Sequence, residues 1–121
     1  MAKILVVEDD SDVRIGMAAV LRRSGYEAVF AEDGVGAISI ALKEAPDVIL
    51  LDLGLPAGDG FVVLERLKKN VNLSTIPVIV LSARNPRDNE QRALKAGALT
   101  YFQKPIETEE LFQVIERTIN G

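Results

Sequence analysis

The sequence contains no cysteine and no histidine. Without thiols there can be no disulfide, no zinc–thiolate site and no sulfur nucleophile. Without imidazole, histidine-based acid, base and phosphocarrier roles are excluded. An excess of positive charge is also missing: 14 Lys and Arg stand against 18 Asp and Glu, a net charge of −4. A broad nucleic-acid footprint is therefore not expected, since phosphate backbones select strongly basic surfaces. No apolar run approaches the roughly 20 residues of a membrane-spanning helix. Met1-Ala2-Lys3 passes straight into a strand pattern rather than a signal peptide, so a cytoplasmic location is expected. No proline- or serine-rich linker, low-complexity tract or repeat divides the chain, and one domain over residues 1–121 is the simplest organisation. What remains for chemistry is carboxylates, hydroxyls and amines.

The 121 residues, 48% hydrophobic and 26% charged, suffice for one core without disulfides or structural metals. Apolar runs of strand length fall near residues 3–7, 26–31, 47–51, 77–82 and 99–103, with helix-length segments after each. Val13, Met17, Val20 and Leu21 share one helical face, as do Leu111, Val114, Ile115, Thr118 and Ile119. Gly25 and Gly97 follow helical stretches as C-terminal caps. Strands rich in Val, Ile and Leu that alternate with helices call for a parallel sheet covered on both faces. Right-handed crossovers then restrict the chain to a doubly wound α/β fold. The flavodoxin-like order 2-1-3-4-5, with five helices, puts the first and third strands side by side.

Charges collect where these runs stop. Glu8, Asp9 and Asp10 follow Ile4-Leu5-Val6-Val7, Asp52 follows Val48-Ile49-Leu50-Leu51, and Lys104 follows the run from Leu99 to Gln103. Ligands of parallel sheets bind at the carboxyl ends of the strands, and clustered acids are costly without a cation. An all-oxygen ligand set selects a hard divalent ion, magnesium or in its place manganese. Asp10 is better read as a helix N-cap. Asp52 precedes the turn-rich segment Gly54-Leu55-Pro56-Ala57-Gly58-Asp59-Gly60, and an acid there is also ordinary loop chemistry. Beside a cation, however, a carboxylate can attack phosphorus and form an aspartyl phosphate. Lys104 would offer three donors to phosphoryl oxygens, and Ser82, at the end of Pro77-Val78-Ile79-Val80-Leu81, a rotatable hydroxyl. Ala83 leaves room for a phosphoryl group.

These residues, in this order, resemble the receiver domains of two-component response regulators along essentially the whole chain. The likeness rests on Val6-Val7-Glu8-Asp9, Leu50-Leu51-Asp52-Leu53-Gly54-Leu55-Pro56, Val80-Leu81-Ser82-Ala83 and Tyr101-Phe102-Gln103-Lys104-Pro105. The resemblance implies a phosphorylation-activated switch whose Asp52 accepts a phosphoryl group from a histidine kinase or histidine phosphotransfer protein. It implies magnesium on Asp9, Asp52 and the backbone carbonyl of Gly54, with Glu8 acting mainly through water. Ser82 and Lys104 would hold the phosphoryl oxygens, Tyr101 would be the switch aromatic, and the Lys104–Pro105 bond would be cis. Gly54 and Arg84 fall at positions that tune phosphoryl lifetime. The protein would be a phosphoacceptor rather than an enzyme, with magnesium-dependent self-phosphorylation from small donors and slow self-dephosphorylation.

The switch also has a physical reading: a phosphate on Asp52 would draw Ser82 inward and vacate space for Tyr101. Tyr101 could equally be an edge aromatic with its hydroxyl in water. Output would pass through residues 84–119 to a protein target, from a monomer or a phosphorylation-dependent dimer. There, Arg84, Arg87, Arg92 and Lys95 either meet an acidic partner or form a solvated face. Gly97-Ala98-Leu99-Thr100-Tyr101 lacks the paired acids of one symmetric dimer type, and Ile106 stands where Phe is usual in the family. Two alternatives use the same fold. A magnesium-dependent aspartate-nucleophile phosphatase needs a second acid two residues after the nucleophile, where this chain has Gly54; a flavodoxin-type carrier would bind phosphate where Glu8-Asp9-Asp10 repel it. The chain could also be a receiver module from a larger transcriptional regulator or hybrid kinase.

Overall fold

A computed structural model describes residues 1–54 and 60–121 of the chain; Leu55 to Asp59, and with them most of the turn-rich segment, lie outside the described residues. The elements alternate as β1 (Lys3–Val7), α1 (Ser11–Arg23), β2 (Glu27–Ala31), α2 (Gly34–Glu44), β3 (Val48–Asp52), α3 (Gly60–Lys69), β4 (Val78–Ser82), α4 (Pro86–Lys95), β5 (Thr100–Gln103) and α5 (Thr108–Asn120). All neighbouring strands are parallel, in the order β2-β1-β3-β4-β5. Asp52 and Ser82 are thus the last residues of their strands.

Side chains alternate across a strand, and this period divides the core in two. Leu5, Ile49, Leu51 and Val80 join Ala37, Leu64 and Ala93 of α2, α3 and α4 on one face. Ile4, Val6, Leu50 and Ile79 join Ala18 and Leu21 of α1 and Leu111 and Ile115 of α5 on the other. Full burial of each large aliphatic side chain is worth about 2 kcal/mol, so the three central strands dominate stability. Val13, expected on the buried face of α1, is 41% exposed. It lies in the first turn and helps line an open groove with Met17 and Ile106.

Helix boundaries follow from local chemistry. Asp10 caps α1, its carboxylate accepting from the N–H groups of Asp12 and Val13 at 2.9 and 3.2 Å. Asp33 caps α2 by accepting from Gly36 N–H at 2.7 Å, and Asn85 with Pro86 behind it starts α4. At Gly60 the close approach is decisive: a Cβ there would lie 2.3 Å from the Leu53 Cα. Only glycine lets α3 begin this close to the exit of β3. Gly25 and Gly97 follow α1 and α4 with φ of 90° and 109°, in the left-handed region that a side chain disfavours.

Candidate functional site

Strand register gathers the charged residues. Val7 pairs with Leu51, so the next residues, Glu8 and Asp52, emerge side by side from β1 and β3. Ser82 pairs with Gln103, and Lys104, one step on, donates its backbone N–H to the Ser82 carbonyl at 2.7 Å. Four strand ends therefore open into one crevice. Glu8, Asp52 and Ser82, at 4%, 9% and 1% exposure, are the buried polar residues there. The Lys104–Pro105 bond is cis.

The Lys104 ammonium lies 2.9 Å from Glu8 Oε1 and 3.4 Å from Asp52 Oδ2. Its shorter contact is thus with Glu8, and Asp52, whose phosphoryl oxygens the sequence pattern assigns to this lysine, is the second carboxylate in reach. Asp52 Oδ1 accepts from Gly54 N–H at 3.0 Å. One carboxylate oxygen from each of Glu8, Asp9 and Asp52 lies within 4.8 Å of the others. Three oxygen donors so close, one of them on the exposed Asp9, fit a hard divalent cation that keeps part of its water shell.

Burial, followed by the shared hydrogen bond with Asp52, pushes the Glu8 carboxyl up to about 6, against the opposing pull of Lys104. Burial alone would lower the Lys104 ammonium; the Glu8 hydrogen bond and the charges of Asp52 and Glu8 outweigh it and raise the group above its ordinary value. A carboxyl raised in the folded state contributes stability below its ordinary value of 4.5 and loses it as pH rises through about 6. In a metal-chelated solution, Glu8→Gln is therefore expected to be more stable than the wild type at pH 7 by about 1–2 kcal/mol. The advantage should vanish near pH 4. Urea denaturation at both values checks this, and a pH-independent difference would contradict it.

Ser82 and Tyr101 meet through the backbone of Arg84. Ser82 Oγ accepts from Arg84 N–H at 2.9 Å, and the Tyr101 hydroxyl donates to the Arg84 carbonyl at 2.8 Å. Tyr101 is already buried, which departs from a ring that waits for Ser82 to vacate space. The hydroxyl gives its hydrogen to a backbone carbonyl, which offsets its desolvation, so water is not its sole partner. Arg84, Arg87, Arg92 and Lys95 are all exposed, yet the Arg92 guanidinium sits 3.8 Å above the Phe61 ring centroid. It is more than a solvated charge.

Sequence reasoning missed Arg14. From α1 its guanidinium donates to the Glu8 carbonyl at 3.1 Å and pairs with Glu32 at 3.4 Å. Its position three residues after the α1 start carries no local signal of that reach. Also missed was an apolar cavity of about 160 Å³ beside Glu8, Asp52 and Lys104, walled by Val13, Met17 and Ile106.

Comparison with known proteins agrees with this geometry. The family model described as "Response regulator receiver domain" matches residues 4–116. Protein PilH of Pseudomonas aeruginosa is 31% identical over 121 residues, covering all of both chains. Sporulation initiation phosphotransferase F of Bacillus subtilis is 36% identical over 115 residues, covering 95% of this chain and 91% of that protein. Among solved structures, the chemotaxis protein CheY4 of Vibrio cholerae superposes with a TM-score of 0.90 at 29% identity, covering 98% of each chain.

Proposed function

The chain belongs to the response regulator receiver domain family, whose members are phosphorylation-activated signalling switches, and from that premise we propose that Asp52 is its phosphoacceptor. One observation carries the assignment: Asp52 is a nearly buried carboxylate at a strand end, with an ammonium 3.4 Å away and two further acids within 4.8 Å. The donor is a phosphohistidine on a histidine kinase or phosphotransfer protein. A carboxylate oxygen of Asp52 bonds to phosphorus as the phosphorus–nitrogen bond breaks. The imidazole leaves with the electron pair and takes a proton from solvent, and the product is an acyl phosphate. Water attack on phosphorus later returns the carboxylate and inorganic phosphate, which makes the signal self-limiting.

Glu8, Asp9 and Asp52, with the Gly54 carbonyl, would hold magnesium, and manganese could replace it. When bound, the ion offsets charge on the acceptor carboxylate and on the incoming phosphoryl oxygens. Lys104 is placed to swing from Glu8 toward the new oxygens, and Ser82 to turn its hydroxyl toward them. The phosphohistidine of the donor would approach over the apolar mouth at Val13 and Ile106, beside the reacting carboxylate. The changed contacts of Ser82, Arg84 and Tyr101 would then pass to the 84–119 surface and a downstream protein. Gly54 and Arg84, flanking the crevice, would set the lifetime of the acyl phosphate. Work as a cytoplasmic monomer or a phosphorylation-dependent dimer fits the same scheme.

Incubation with acetyl phosphate and magnesium should add the mass of one phosphoryl group, and no gain would sink the mechanism. The metal assignment has its own test. Asp9→Ala should weaken magnesium binding by about tenfold or more, read by amide shifts in an NMR titration. Unchanged affinity would move the site away from Asp9.

A further inference from the structure

We propose that Arg14 is a positioning residue for the metal site: it fixes the main chain at Glu8 and thereby sets where the Asp9 carboxylate stands. The assignment rests on the magnesium reading above. Glu8 is tied at every polar group. Its N–H donates to the Ala31 carbonyl at 3.0 Å, its carboxylate takes Lys104 and the Asp10 N–H at 2.9 and 3.5 Å, and its carbonyl accepts from Arg14 at 3.1 Å. That carbonyl lies one residue past the end of β1, without a backbone donor among the described residues, and the guanidinium supplies the acceptor's bond. Asp9 is the next residue, exposed, and its placement follows from the Glu8 main chain.

The arginine itself is held. Its side chain is only 16% exposed, and its other end pairs with Glu32, which is 73% exposed. The fork therefore joins the β1 tip to the start of the β2–α2 connection, a two-ended bond that suits guanidinium geometry and that a lysine cannot reproduce.

The sign of one measurement separates positioning from simple charge. A cation close to a divalent-ion site repels that ion, so removal of Arg14 should tighten magnesium binding if only Coulomb's law matters. Positioning demands the reverse. Magnesium titrations by NMR on the folded protein should show Arg14→Met weakened by about tenfold, and Arg14→Lys weakened less. A merely structural role would lower the urea midpoint without metal and leave the affinity of the folded protein unchanged. Wild-type or tighter affinity in Arg14→Met, or in Arg14→Lys should the Met variant not fold, overturns the proposal. In that case wild-type binding and its loss in Asp9→Ala would still stand. Absence of saturable shifts in the wild type would remove the metal reading and this one together.

Discussion

Asp52→Asn is expected to abolish phosphoryl incorporation while leaving the fold intact. The amide has the size of the carboxylate and can still accept from Gly54 N–H, the bond that Asp52 Oδ1 makes at 3.0 Å. What it lacks is the anionic lone pair that attacks phosphorus. One of three crowded negative charges also disappears, so the metal-free variant should melt no lower than the wild type. Lys104 keeps its 2.9 Å contact to Glu8, which preserves the local packing. Intact mass after treatment with acetyl phosphate and magnesium should show one added phosphoryl group on the wild type and none on the variant. Equal labelling of both would place the acceptor elsewhere, with Asp9 the next carboxylate to test.

Lys104→Met should produce the largest loss of stability at the site. Methionine keeps most of the apolar stem and removes the ammonium, leaving the Glu8 carboxylate, almost fully buried, beside Asp52 without its ion-pair partner. Breaking a buried pair on one side costs about 3 kcal/mol, and the partial exposure of Lys104 places the loss at or below that figure. Two conditions should shrink it. Acid protonates Glu8, whose carboxyl is already raised to about 6 with Lys104 present and rises further without it. Magnesium supplies the missing positive charge. Urea denaturation at pH 7 and pH 5, with and without magnesium, reads both effects. A deficit that neither acid nor metal reduces would mean that the lysine acts through its stem alone.

Much of this molecule can be read from its residues because the strands announce themselves. Runs such as Val48-Ile49-Leu50-Leu51 and Val78-Ile79-Val80-Leu81 are buried on both faces, and such continuous apolar stretches between helices permit few topologies. Once β1 and β3 are adjacent, Glu8 and Asp52 must meet. The cap at Asp10 was readable too, since it depends on neighbours two and three residues away. What escaped detection depends on reach across the fold. The preference of Lys104 for Glu8, the grip of Arg14 on the Glu8 carbonyl and the seat of the Tyr101 hydroxyl on Arg84 each join residues from different elements. Side-chain length and rotamer decide them, and neither has a periodic signature. Val13 shows the converse limit, since its helical spacing is right but it lines an open cavity at the crevice and stays 41% exposed.

The link between Ser82 and Tyr101 runs through main-chain atoms of residue 84, its N–H on one side and its carbonyl on the other. Every amino acid except proline supplies both groups. The connection is thus independent of side-chain identity at that position. Under the proposed switch, the side chain at 84 could change, and with it the lifetime of an acyl phosphate on Asp52, while both main-chain bonds stay in place. In that scheme, signal duration and signal relay would be separable although they share a single residue.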